Sequence, residues 1–208
     1  MNDLDLAKLS HDSYSLATHI KGNAAALLTE ADDSLVIAFR GTNDAIDVMA
    51  DIWAIPWKPA KIGAWVHRGF WLYLEPLVDW LDIEIHRYNL PVHLTGHSLG
   101  GAAACLFAAI CECRGLKVSS LTTFGAPRPG YESLARITSN IEGKRYVIDG
   151  DQVTSVPPSW FAFPYCHDRE ETLLDGIDGI IDHPIKGYID RLGEAALPEN
   201  KKKVFEAP

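Results

Sequence analysis

The segment Gly96-His97-Ser98-Leu99-Gly100-Gly101 follows the extended apolar run Val92-His93-Leu94-Thr95 and opens a stretch, 99–113, in which only Glu112 is charged. Strand, G-x-S-x-G and helix, in that order, are what a nucleophile elbow requires. A sharp turn lifts the serine hydroxyl above the sheet edge, and the crowding leaves room only for glycine two residues to either side. Three fixed positions are a weak signal alone, since a glycine-rich turn opening an ordinary helix carries the same letters. The flanks make it specific: the apolar character of 99–113 wraps all the way round the helix, which marks it for burial, and Arg114-Gly115 closes it.

Around this motif, short β-branched or apolar runs alternate with longer helical patterns. Residues 24–29, 35–39, 92–95, 118–124 and 146–148 are expected as strands. Stretches 4–19 and 70–88 are expected as amphipathic helices, the second carrying Leu74, Leu77, Val78, Leu81 and Ile85 at spacings of three and four. Such alternation favours an α/β sheet. With 208 residues, the chain has the length of one domain with a substantial core. The closing segment 199–208 is expected as a frayed tail.

Composition excludes other classes. Apolar residues at 47% and charged residues at 23% argue against bulk disorder, and 28 acidic against 19 basic residues leave a net charge of −9 that repels a phosphate backbone, so no nucleic-acid partner is expected. The opening MNDLDLAKLSHDSY lacks the basic and apolar regions of a secretory signal, so a cytoplasmic location is expected. The most apolar run, 102–111, is about half of the roughly 20 residues that span a bilayer, so no transmembrane segment is expected. Cys105, Cys111, Cys113 and Cys166 offer no C-x-x-C pair and are expected as small core residues, with neither disulfide nor structural zinc.

A serine hydroxyl needs an imidazole to take its proton and an acid to hold that imidazole in the right tautomer. When a nucleophile elbow supplies the serine, the acid and then the histidine follow it in the chain, which restricts the base to His167 or His183. The run Tyr146-Val147-Ile148 ends in two candidate acids, Asp149 and Asp151. The residue after the nucleophile, Leu99, supplies one backbone amide to an oxyanion hole, and a loop after an early strand must supply the second.

These motifs together resemble the class 3 lipase family. Val36-Ile37-Ala38-Phe39-Arg40-Gly41-Thr42 resembles the family's strand ending in R-G-[ST], and Val66-His67-Arg68-Gly69-Phe70 its V-H-x-G-F. Gly96 to Gly101 matches its G-H-S-L-G-G. Gly125-Ala126-Pro127-Arg128-Pro129-Gly130 is similar to its G-x-P-R-x-G, Asp151-Gln152-Val153 to its D-x-V, and Asp182-His183 to its late D-H. The resemblance implies an α/β-hydrolase fold, a mostly parallel central sheet covered by helices on both faces. It implies Ser98 as nucleophile, Asp151 as acid and His183 as base, with His167 a packed, non-catalytic histidine. Thr42 falls at the family's oxyanion position, although a helix N-cap is an alternative role for it; Asp51 falls where it would bind and orient the Thr42 hydroxyl, with a solvated helix charge as the alternative, and His97 falls in a supporting position. Residues 43–59 stand where the family has its lid, with Ile46, Met49, Ile52, Trp53 and Trp57 as its apolar, substrate-facing side chains. The implied activity is hydrolysis of carboxylic esters, acylglycerols or other fatty-acyl esters, without metal or organic cofactor. A short-chain or feruloyl-type esterase, an amidase of the same triad, and a non-catalytic scaffold are the alternatives. The chain is shorter than typical fungal members and lacks their disulfides.

Overall fold

The computed structural model of the protein describes residues 1–42, 55–176 and 183–196. Among these residues the centre is a seven-stranded sheet, whose strands in order across it are β1 (His19–Lys21), β2 (Ala24–Ala31), β3 (Ser34–Phe39), β6 (Val92–His97), β7 (Val118–Phe124), β8 (Arg145–Ile148) and β9 (Glu171–Leu174). The first three pair antiparallel, and from β3 onward every pairing is parallel. A separate two-stranded ribbon joins β4 (Pro56–Trp57) to β5 (Val66–His67).

The period of two along a strand divides the core between the two faces of the sheet. In β3, Leu35, Ile37 and Phe39 point to one side and join a large apolar cluster, while Val36 points to the other and joins a smaller one. Helices α2 (Arg68–Tyr88) and α3 (Leu99–Cys113) cover the first face, with α4 (Glu132–Thr138) contributing Leu134. Helices α1 (Asp3–Leu16) and α5 (Ile185–Ala195) cover the second through Leu6, Ala7, Ile185, Tyr188 and Leu192. In α3, every residue from Leu99 to Cys111 is buried, as the wholly apolar pattern predicts. Among the described residues no helix is long and apolar enough to cross a membrane.

The five expected strands and three expected helices are present, with some differences. Helix α1 stops at Leu16 rather than 19, because Thr18 turns to the sheet, its N–H donating to the Ala26 carbonyl and its hydroxyl accepting from Leu28 N–H, which leads into β1. Strands β1, β4, β5 and β9 and helices α4 and α5 were not anticipated. Only Cys105 and Cys111 are core residues; Cys113, on the last turn of α3, is exposed, and Cys166, in an isolated β-bridge to Gly130, is half-buried. Residues 43–54 of the expected lid, and the expected tail 199–208, lie outside the described residues.

Candidate active site

Strand β6 ends at His97, and the chain reverses through Ser98 into α3. Ser98 has φ 57° and ψ −129°, a backbone state that costs a non-glycine residue about 1–3 kcal/mol and persists only where its surroundings enforce it. They do so here. Ser98 N–H donates to the Phe124 carbonyl at 3.0 Å, and the glycines on either side allow backbone to meet backbone: a Cβ on Gly96 would lie 2.4 Å from the Gly100 carbonyl, and one on Gly100 2.1 Å from the Phe39 carbonyl oxygen. Leu99, as the first residue of α3, has an N–H with no intrahelical acceptor, so it is free to donate outward.

The candidate base and acid come from the parallel half of the sheet. Asp151 follows β8 and caps a short 3₁₀ turn, Gln152–Ser155, accepting Val153 N–H at 3.0 Å. His183 precedes α5, and its Nδ1 lies 3.0 Å from both oxygens of Asp151. Both residues are buried. A carboxylate only accepts, so Nδ1 carries the proton, and in the neutral ring Nε2 is then an open acceptor. His183 Nε2 and Ser98 Oγ are each buried without a hydrogen-bond partner among the described residues, leaving both available to a proton transfer. Asp149, the alternative acid, is exposed and has its N–H on the Leu174 carbonyl.

Side chains that the motifs did not announce hold this pair. Tyr188 on α5 donates its hydroxyl to Asp151 Oδ2 at 2.5 Å and accepts Ile148 N–H at 3.3 Å; burial and the neighbouring carboxylate push its ionisation well up, so it remains a donor. Gly125, with φ +57°, lies against the same three groups: a Cβ there would be 2.7 Å from Asp151 Oδ2, 2.9 Å from Tyr188 Oη and 3.3 Å from His183 Cε1. Since Ser98 N–H is bonded to Phe124, the residue before Gly125, one turn ties the elbow to the acid and the base. A helical repeat, Ile185, Tyr188, Ile189 and Leu192, was present in the sequence and would have placed Tyr188 on the sheet-facing side of a helix.

His97 stands between elbow and base. Its Nε2 lies 2.7 Å from the His183 carbonyl and its Nδ1 2.8 Å from the Tyr14 hydroxyl, and burial drives its pKa down to about 3, with the neighbouring His183 adding to the shift. His167 touches neither Ser98 nor Asp151 directly. Its Nε2 donates to the Thr154 carbonyl at 2.8 Å, Thr154 Oγ1 donates to the Asp151 carbonyl at 2.7 Å, and burial lowers the His167 pKa to about 4. It supports the turn that carries the acid.

At the opposite lip, β3 runs into Arg40-Gly41-Thr42. Tyr73 of α2 donates to the Arg40 carbonyl at 2.5 Å and accepts Ala25 N–H at 3.3 Å, which anchors this turn to the sheet. Thr42 Oγ1 is buried without a partner among the described residues. The expected partner Asp51, and Ile46, Met49, Ile52 and Trp53, lie outside them. Trp57 is described: it lies in β4, half-exposed, with the Arg68 guanidinium 5.8 Å from its ring centre. Among the described residues no three His, Cys, Asp or Glu side chains are grouped to hold a metal ion.

Residues 36–161, more than half of the chain, match the family model described as Lipase (class 3). A lipase of Rhizomucor miehei is 32% identical over 161 residues, covering 72% of this chain and 44% of the fungal protein. A lipase of Rhizopus niveus is 33% identical over 154 residues, covering 68% and 39%. The toxin TseL of Vibrio cholerae is 33% identical over 117 residues, covering 54% of this chain but only 18% of the toxin. The chain thus spans less than half the length of each of these three relatives. Among solved structures, the native Rhizomucor miehei lipase propeptide complex superposes with a TM-score of 0.69 at 27% identity, covering 83% of this chain and 68% of that one. A triacylglycerol lipase whose catalytic centre is described as a serine protease triad gives a TM-score of 0.69 at 26% identity, covering 85% and 80%.

Proposed function

The chain belongs to the class 3 lipase family, with an α/β-hydrolase fold, and from that premise we propose that it hydrolyses carboxylic esters through an acyl-serine intermediate. The observation that carries the proposal is the buried Asp151–His183 pair beside a serine held at positive φ, with Ser98 Oγ and His183 Nε2 both unpaired among the described residues. In the proposed reaction Ser98 Oγ attacks the ester carbonyl while His183 Nε2 takes its proton. The imidazolium that forms is stabilised by Asp151, and the oxyanion is met by the Leu99 amide and by Thr42. His183 then protonates the departing alcohol, and the same nitrogen activates the water that releases the acid.

For substrate we propose fatty-acyl esters, acylglycerols foremost. Support comes from relatives named as lipases, including one named a secreted mono- and diacylglycerol lipase in Gibberella zeae, and from the apolar segment 43–59 next to Thr42, which we read as a lid. Exposed Ile55 and Trp57 at its end fit a surface that meets acyl chains.

The test is hydrolysis of p-nitrophenyl esters of increasing chain length, below and above the concentration at which each aggregates, with Ser98→Ala as blank and fluorophosphonate labelling in parallel. Labelling that depends on Ser98, with rates rising on long, aggregated substrates, is expected. Activity retained in Ser98→Ala would sink the proposed mechanism. Short-chain preference with simple saturation would make the protein an esterase and 43–59 a fixed wall of its pocket.

A further inference from the structure

We infer that α1 is a positioning element of the site, in which Tyr14, acting through His97, fixes the main chain of His183. The inference rests on the proposed roles of Ser98 and His183 and goes beyond them to residues of the N-terminal helix.

The contact follows from matched spacings. Ser10 and Tyr14, four residues apart on one face of α1, are separated by about 6 Å along the helix axis. Thr95 and His97, two apart on one face of β6, are separated by about 6.6 Å along the strand. The two pairs therefore meet in register: Ser10 Oγ and Thr95 Oγ1 are 3.0 Å apart, and Tyr14 Oη is 2.8 Å from His97 Nδ1. The hydroxyl of Tyr14 also lies directly under the Arg40-Gly41-Thr42 turn, where a Cβ on Gly41 would collide with it at 2.2 Å.

Proton placement gives the contact a direction. The His183 carbonyl can only accept, so His97 Nε2 carries a proton and donates to it at 2.7 Å. A neutral His97 then has a bare Nδ1, which accepts from Tyr14 Oη–H. Burial keeps His97 neutral far below physiological pH and keeps the Tyr14 phenol protonated. The His183 carbonyl thus sets the tautomer, and the hydroxyl of Tyr14 satisfies the bare Nδ1 and holds the ring where its opposite nitrogen grips the base. Without it, Nδ1 is left buried with no donor, and the ring loses the contact that holds Nε2 on the His183 carbonyl. The ring of His97 lies 4.7 Å from that of His183, so the displacement falls on the catalytic imidazole itself. The same helix packs Leu6 and Ala7 in the apolar cluster that holds Ile185 and Tyr188 of α5, so both ends of the segment that begins at His183 are referred to α1. His97 and Tyr14 touch no reacting atom; they act through His183.

The experiment uses the full chain as wild type, Tyr14→Phe, His97→Gln and His97→Leu, each checked for folding by circular dichroism. On p-nitrophenyl butyrate, Tyr14→Phe is expected to lower kcat about tenfold, a barrier change of about 1.4 kcal/mol, with KM within about twofold of wild type. Glutamine can donate to the His183 carbonyl and accept from Tyr14, so His97→Gln is expected to retain several times the kcat of His97→Leu. Nitrogen-15 spectra of histidine-labelled protein are expected to show His97 as the Nε2–H tautomer in wild type, with its Nδ1 resonance shifted in Tyr14→Phe by loss of the donated hydrogen bond. Full kcat in Tyr14→Phe, or an Nδ1–H tautomer for His97 in wild type, overturns the inference. If Tyr14→Phe does not fold, the two His97 variants decide: equal kcat overturns the inference, glutamine rescue supports it. A wild type that neither turns over ester nor labels with fluorophosphonate overturns instead the roles proposed for Ser98 and His183.

Discussion

Tyr188 Oη donates to Asp151 Oδ2 at 2.5 Å, on the same carboxylate that receives Nδ1 of His183. The two donors come from one short segment, five residues apart, so the start of α5 both presents the imidazole and grips the acid that orients it. Removing the hydroxyl leaves Oδ2 of a fully buried carboxylate with one donor fewer, and a hydrogen bond to a charged group contributes about 1.5–3 kcal/mol. Tyr188→Phe is therefore expected to lower the urea midpoint and to reduce kcat about tenfold with KM little changed. Unaltered kcat in a destabilised protein would assign Tyr188 to the core alone.

Gly125 is the point where the acid, the base and Tyr188 converge. An alanine there would adopt φ +57° and place a methyl 2.7 Å from Asp151 Oδ2 and 2.9 Å from Tyr188 Oη, so either the turn or the carboxylate must move. Positive φ costs about 1–3 kcal/mol, and a displacement of about 1 Å in a catalytic group costs about 100-fold in rate. Gly125→Ala is expected to fold with lowered stability and to lose about two orders of magnitude in kcat, measured as ester hydrolysis beside thermal unfolding. Wild-type kcat would mean that the acid tolerates displacement and that the mechanism does not depend on its position.

Legibility in the sequence followed chain distance. The elbow could be read because strand, Gly96, Ser98, Gly100 and helix are contiguous, and its steric demands are met by neighbours along the chain. The interior strands and α3 were plain because burial on both faces leaves near-continuous apolar runs. Strand β9 was not, being four residues at the sheet edge with Glu171 and Leu173 turned to solvent. Helix α5 was masked by Gly187 and Gly193, which weaken a helical pattern, although packing on the sheet overrides them. Asp149 and Asp151, and His167 and His183, could be separated only by resemblance, because what distinguishes them is which ones touch across 32 residues of chain. Tyr14, Tyr73 and Tyr188 carry no local signature: each is an ordinary amphipathic helix residue until the fold brings it to His97, Arg40 or Asp151.

Three histidines, His67 and His97 buried and His167 half-buried, set the acid limit of the fold. Burial lowers His67 and His167 to about 4 and His97 to about 3, and each uses a neutral ring: His67 Nδ1 accepts Phe70 N–H at the start of α2, His97 Nδ1 accepts from Tyr14, and His167 donates through one nitrogen only. Their folded-state values lie below the ordinary value of about 6.5, so as pH falls the unfolded chain binds these protons first. The stability they contribute is present above about pH 6.5 and is lost progressively as pH falls, towards about 4 for His67 and His167 and about 3 for His97. The urea midpoint is expected to drop already between about pH 7 and about pH 5, above the range in which ordinary carboxylates titrate. A midpoint that stays level over that window would show that these rings are not held neutral.

Tyr73 tests whether the Arg40-Gly41-Thr42 turn serves catalysis or only the fold. Its hydroxyl has one proton, directed at the Arg40 carbonyl at 2.5 Å, while its oxygen takes Ala25 N–H at 3.3 Å. Thr42 lies two residues beyond Arg40, so in Tyr73→Phe the turn loses its side-chain anchor from α2 while Ser98, Asp151 and His183 keep all their contacts. The net hydrogen-bond loss corresponds to about 1 kcal/mol of stability. If Thr42 donates to the oxyanion, kcat is expected to fall about 3- to 10-fold with unchanged KM, because the donor is aimed at the transition state rather than at the bound ester. Thr42→Ala sets the scale: loss of an oxyanion donor costs about 100- to 1,000-fold, and the effect of Tyr73→Phe should largely vanish in that background, since no Thr42 hydroxyl remains to be misplaced. Additive losses in the double variant would mean that Tyr73 acts on the site by another route, and a Thr42→Ala enzyme with wild-type kcat would remove Thr42 from the oxyanion hole altogether.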